Sequence, residues 1–165
     1  MTDLRLKQSF TDNLEAVTLD LLQTPLGLLD ETRELETAVI LALGTDRLAN
    51  EDDILPDIDS DDRRGWWGDL EAEAIWSGWP IGSRLWLISR AKITGEKAKI
   101  GSLLTRAETY AREALLPLLE KSIASKLAVK AERNGMNRVD LSIVIYRGPK
   151  QAVALQFQTL WDEIA

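Results

Sequence analysis

Along the chain, apolar and polar positions first alternate in two short stretches. Leu4 and Leu6 stand opposite Arg5 and Lys7, and Val17, Leu19 and Leu21 alternate with Thr18 and Asp20. With Thr11-Asp-Asn between them and Thr24-Pro25 and Gly27 after them, residues 1–30 predict an N-terminal β-hairpin. The rhythm then changes to steps of three and four. Leu35, Val39 and Leu43 predict a short buried helix that Gly44 can stop, with a buried strand as the competing reading of Thr37, Val39 and Ile40.

Residues 44–70 break both rhythms. Within them, residues 46–62 are strongly acidic, with Glu51, Asp52, Asp53, Asp57, Asp59, Asp61 and Asp62 offset locally only by Arg47, and Pro56 and Ser60 add turn character. This predicts an irregular excursion over the surface. It ends in Trp66 and Trp67, side by side between Gly65 and Gly68. Ile81 to Arg90 then suggests a helix or a single helical turn, with Leu85, Trp86 and Ile88 apolar and Arg84 and Arg90 outside.

The clearest helix covers roughly 103–119. Leu103, Ala107, Tyr110, Ala111, Ala114 and Leu118 share one face, and Arg106, Glu108, Arg112 and Glu113 take the other. Pro117 predicts a kink or an end one turn earlier. Alternation returns over residues 124–162. Leu127, Val129 and Ala131 form one stretch, Val139, Leu141, Ile143 and Ile145 a second, and Val153, Leu155, Phe157 and Thr159 a third that leads to Trp161. Asn134-Gly135 and Gly148-Pro149 punctuate them, so the pattern predicts an antiparallel meander with one buried face against the long helix. The predicted class is α+β, a single domain spanning residues 1–165.

Composition narrows the chemistry. The 165 residues contain no cysteine and no histidine. Disulfides, thiolate nucleophiles, Ser-His-Asp machinery and the usual zinc ligands are therefore excluded. A net charge of -7, with the densest lysines (Lys92, Lys97, Lys99) interrupted by Glu96, argues against a nucleic-acid partner. No apolar run approaches a membrane span, and Met1-Thr-Asp-Leu-Arg-Leu lacks the build of a signal peptide. Synthesis and folding in the cytoplasm, with no membrane partner, is the expectation.

Three constellations invite a chemical reading. Asp57, Asp59 and Asp61 have the opening spacing of a calcium loop, but Asp62 stands where the turn needs glycine and Gly68 where it needs glutamate. No metal and no cofactor is expected. Asp69, Glu71 and Glu73 beside Trp76 and Trp79 could form a glycan cleft, so a carbohydrate-binding or glycan-cleaving protein is the alternative. The third, Arg63-Arg64-Gly-Trp-Trp-Gly-Asp69, reads equally as a staple fixing the acidic loop and as an interface hot spot, for which tryptophan and arginine are the enriched types.

These residues carry a resemblance. Thr37-Ala-Val-Ile, Thr45-Asp-Arg, Asp52-Asp53 with Leu55-Pro-Asp57, and Asp62-Arg-Arg-Gly-Trp-Trp-Gly-Asp69 are similar to the small baseplate protein family of Mu-like contractile phages and prophages. Gly82-Ser-Arg-Leu-Trp-Leu with Arg90 and Lys92, Tyr110-Ala-Arg-Glu-Ala-Leu, Pro117-Leu, and Phe157 to Trp161-Asp162 continue it in order. The family is the counterpart of the sheath initiator of other contractile tails. It implies a non-enzymatic structural component of a phage tail baseplate, joining the wedge and nucleating the tail sheath. Baseplate wedge proteins and the tail sheath protein would be its partners, with the tail tube or hub as further contacts. The location implied is the virion tail baseplate, after assembly in the host cytoplasm. On this resemblance Arg63, Arg64, Trp66, Trp67 and Asp69 would meet the wedge. Val153, Leu155, Phe157 and Trp161 would pair with sheath strands. Gly44 stands where the family has a bulkier apolar residue.

Overall fold

A computed structural model of the 165-residue chain describes residues 6–10, 17–21, 23, 25–26, 34–57, 59–71, 74, 78, 81–88, 102–134 and 138–160. Two compact units make up the chain, residues 1–41 and 42–165. In the first, β1 (Leu6–Phe10) pairs antiparallel with β2 (Val17–Leu21), Leu6 opposite Leu21 and Phe10 opposite Val17. The Thr11-Asp-Asn turn expected between them lies outside the described residues. Helix α1 (Glu34–Gly44) begins in this unit and ends in the next, so the helical reading of Leu35 to Leu43 holds over the strand. Thr37, Val39, Ile40 and Leu43 are its buried positions.

The second unit has the α+β architecture that the pattern predicts. Helix α2 (Ser102–Glu120) lies against a three-stranded antiparallel sheet in the order β3 (Lys126–Arg133), β4 (Arg138–Arg147), β5 (Lys150–Leu160). Alternation explains the buried face. Val129 and Ala131 of β3 and Val139, Leu141, Ile143 and Ile145 of β4 are buried, as are Ala107, Ala111, Ala114, Leu115 and Leu118 of α2. The alanines keep the helix surface low where it meets branched strand residues. The first central residue of the tight β4–β5 connection, Gly148, has φ 64°, the left-handed value a two-residue hairpin needs there.

Two expectations change. Pro117 neither ends nor shortens the helix: α2 runs on to Glu120, and Lys121 N–H still reaches the Pro117 carbonyl at 3.0 Å. Pro117, Leu118 and Leu115 are buried there, and that burial outweighs the one missing amide. Of Ile81 to Arg90, residues 81–88 are described and contain the expected helical turn as a 3-10 turn, Leu85–Ile88, buried in full beside α2, while Arg84, expected outside, has a side chain only 12% exposed.

Candidate interaction site

Two loops, residues 45–64 and 82–84, approach each other closely before either reaches a tryptophan. Ser83 N–H donates to the Thr45 carbonyl at 2.9 Å and Arg47 N–H to the Ser83 carbonyl at 3.1 Å. Gly82 permits this contact. Its φ is +111°, and a Cβ there would sit 2.8 Å from the Thr45 oxygen. The Ser83 hydroxyl donates to the Leu43 carbonyl at 2.8 Å, satisfying one of the acceptors that the end of α1 leaves open. Trp86 donates its indole N–H to the Arg47 carbonyl at 2.8 Å.

Arg84 projects from this junction and ties three segments together. Its Nη1 donates to both oxygens of Asp53, at 3.0 and 2.8 Å, and its Nη2 to Glu113 of α2 at 2.6 Å. The guanidinium lies 4.9 Å from the ring centre of Tyr110. The Arg84 and Asp53 side chains are 12% and 13% exposed, so solvent screens this pair far less than a surface ion pair. Burial pushes the Asp53 carboxyl up. The Arg84 hydrogen bond, the Asn50 amide and the charges of Arg84 and Arg106 outweigh it and hold the group below its ordinary value. Burial pushes Arg84 down, but its bonds to Glu113 and Asp53 raise it overall. Arg47 Nη1 reaches the other oxygen of Glu113 at 3.4 Å.

The tryptophan box is built on that base, and most of its polar side chains turn inward. The Arg63 guanidinium donates to the carbonyls of Asn50 and Glu51, while its own carbonyl accepts from Ala49 N–H at 3.0 Å. Arg64 pairs with Asp46 at 2.7 Å and stacks 4.9 Å from the ring centre of Trp86. Its φ of 51° is supported by Asp62, whose carboxylate accepts the Arg64 N–H at 2.8 Å. Asp69 accepts from Trp66 N–H at 3.1 Å and returns its own N–H to the Trp66 carbonyl at 3.0 Å. That reciprocal pair caps the 3-10 turn Trp67–Glu71. The two indoles meet edge to face, 5.3 Å between centres, with Trp66 half-buried and Trp67 79% exposed.

The structure therefore brings Arg63, Arg64, Trp66, Trp67 and Asp69 into one constellation and gives them different positions. Four hold the loop, and Trp67 stands outside. Leu48 and Ile54 are exposed apolar neighbours in the same segment. For the glycan reading, Asp69 has its carboxylate engaged by the Trp66 amide, while Glu73, Trp76 and Trp79 lie outside the described residues. Val153, Leu155 and Phe157 fall on β5, opposite Ile145, Ile143 and Leu141 of β4; Trp161 lies outside the described residues. Among the described residues, no group of three acidic side chains is placed to hold a metal, and no helix is long and apolar enough to cross a membrane. Sequence reasoning does not find Arg84 as the centre. Its partners lie 31 and 29 residues away, and only the close loop approach at Gly82 brings them together.

The constellation lies within the stretch of the chain that comparison with known proteins matches. A family profile described as Phage protein GP46 matches residues 35–152, from the start of α1 into β5. The chain is 38% identical over 130 residues to the baseplate protein gp46 of Escherichia phage Mu, covering 79% of this chain and 81% of that one. It is 29% identical over 130 residues to the Mu-like prophage FluMu protein gp46 of Haemophilus influenzae, covering 74% and 89%. With the profile spanning well over half of the residues and a relative above 30% identity along most of its length, this chain belongs to the phage GP46 protein family.

Proposed function

We propose that this protein is a structural, non-enzymatic component of a contractile phage tail baseplate, which joins the wedge and nucleates the tail sheath. The observation that carries the reading is Trp67: a large indole 79% exposed on a loop immobilised from beneath by Arg63, Arg64, Asp69 and Arg84. An exposed tryptophan on a preorganised loop is what a protein–protein anchor requires, because little ordering remains to oppose binding. The relative from phage Mu carries the name of a baseplate protein, which gives the anchor its setting. In that setting Trp67 enters a pocket of a wedge protein, while Arg63, Arg64, Trp66 and Asp69 keep the loop in shape. The sheet, with β5 at one end of its strand order, offers a template for a sheath strand. The protein acts in the virion tail baseplate, after assembly in the host cytoplasm.

Co-expression with the wedge and sheath proteins of the same tail, followed by size-exclusion chromatography with light scattering, tests the reading. Trp67→Ala is expected to abolish the wedge complex while changing folding stability by no more than about 0.5 kcal/mol. Trp66→Ala is expected to lower stability as well. A wild-type wedge complex unaffected by Trp67→Ala would remove the anchor, and a well-folded protein that binds no tail component would remove the function.

A further inference from the structure

A cavity of about 200 Å³ opens beside the tryptophan box, between residues 55–64 and the buried Trp86. Leu55, Pro56 and Trp86 supply its apolar lining, and Asp57, Ser60, Asp62 and Arg64 its polar lining. It is smaller than the roughly 300–1,000 Å³ that enclose a cofactor or other small molecule, so a single side chain is the right size of occupant. The loop that presents Trp67 as a projection therefore presents a recess as well.

The charges on that lining do not balance. Arg64 is its one cation, and Nη1 of Arg64 is spent at 2.7 Å on Asp46, which is not part of the lining. Asp57 and Asp62 bring two carboxylates, and both residues are exposed, so a partner can reach them. Each uses Oδ1 on a backbone amide of its own loop. Asp57 accepts from Asp59 N–H at 3.2 Å, and Asp62 accepts from Arg64 N–H at 2.8 Å. The Ser60 hydroxyl accepts from Asp62 N–H at 3.1 Å. These short bonds set the carboxylates in place before anything binds, so little ordering remains to oppose binding.

We propose that this cavity receives a lysine or arginine side chain of the wedge protein whose pocket Trp67 enters, an inference that rests on the function proposed above. A basic side chain matches both kinds of lining. Its methylene stem lies against Leu55, Pro56 and Trp86, and its cationic head reaches Asp57 and Asp62. An acidic side chain would meet two like charges, and an apolar one would cover the carboxylates without a partner. A metal ion is the poorer occupant, because among the described residues no group of three acidic side chains is placed to hold one. The chain then meets its partner in two ways. Trp67 supplies buried area, and the cavity supplies charge, which governs the rate of encounter and the choice of partner.

Binding of the full chain to the wedge protein of the same tail, followed by biolayer interferometry at low and high salt, tests this. Asp57→Asn with Asp62→Asn keeps the oxygens that the two amides use and removes both charges. It should weaken the complex about 10-fold at low salt, mainly through slower association, and the difference should shrink at high salt. Asp59→Asn with Asp61→Asn removes the same charge from exposed positions of the same loop outside the cavity lining. That control should change affinity by less than about 3-fold. Equal losses in the two pairs, or no loss in the cavity pair, would overturn the assignment. If the wild-type chain binds no wedge protein, the wedge-joining function fails, and the cavity is decided on the free chain by amide NMR. N-acetyl-lysine amide or N-acetyl-arginine amide should then shift Ser60, Asp62 and the Trp86 indole N–H. The neutral N-acetyl-norleucine amide should not, and the Asp57→Asn, Asp62→Asn chain should respond to none of them. Shifts with calcium chloride but with neither amino-acid cation, or no shift at all, count against a basic side chain as the occupant.

Discussion

Replacing Arg84 by alanine would leave the carboxylates of Asp53 and Glu113 in a part-buried space with their main countercharge gone. Removing one partner of such a pair costs more than the pair contributes, so urea unfolding of Arg84→Ala should show a loss of about 3 kcal/mol. The same cluster makes a pH prediction. Asp53 titrates below its ordinary value when folded, so its contribution is complete above about pH 4 and fades as pH falls through the lower folded value. Asp53→Asn should therefore be less stable than wild type at neutral pH, and the gap in urea midpoints should narrow as pH falls below the ordinary carboxylate value. A gap of constant size across that range would show that the ion pair is not its source. At this scale the sequence was only partly legible. The tryptophan box stood out because adjacent indoles between glycines are rare, but no local pattern marks Arg84 as the residue that holds it.

Among the elements, regular repetition made α2 and the meander readable, and its absence hid the rest. Alanine and leucine at steps of three and four fix α2, and alternation around Leu141 to Ile145 fixes β4, because each face has one solvent. Leu85–Ile88 has no polar partner positions, so its pattern could not separate a helix end from a buried turn. The contact between residues 45–47 and 82–83 is equally silent in sequence, apart from Gly82. Gly82→Ala places a methyl group against the Thr45 oxygen at a φ that alanine resists, and should cost about 3 kcal/mol in urea unfolding. Gly148→Ala is the control. Its φ is also positive, but nothing lies within 4 Å of the new methyl, so about 1 kcal/mol is expected. Equal losses at the two sites would mean that the loop approach is looser than its distances imply.

For the whole molecule, charge and sheet edges both bear on how copies of the chain would meet. A net charge of -7 and a string of exposed acids, Glu51, Asp52, Asp57, Asp59, Asp61 and Asp62, repel a second copy at the loop. At the sheet, Glu108 accepts the Ala131 N–H of β3 and Arg112 donates to its Val129 carbonyl, which leaves two fewer backbone groups for another strand. A body with both edges usable could stack copies head to tail without limit, as fibres do. A body with one usable edge has no second hand to offer. Two copies that meet do so symmetrically, edge against the same edge, and the pair is finished. Sedimentation at rising concentration should accordingly level off at twice the mass of one chain, with no larger species. Growth beyond such a pair would need a different chain to supply the continuing edge.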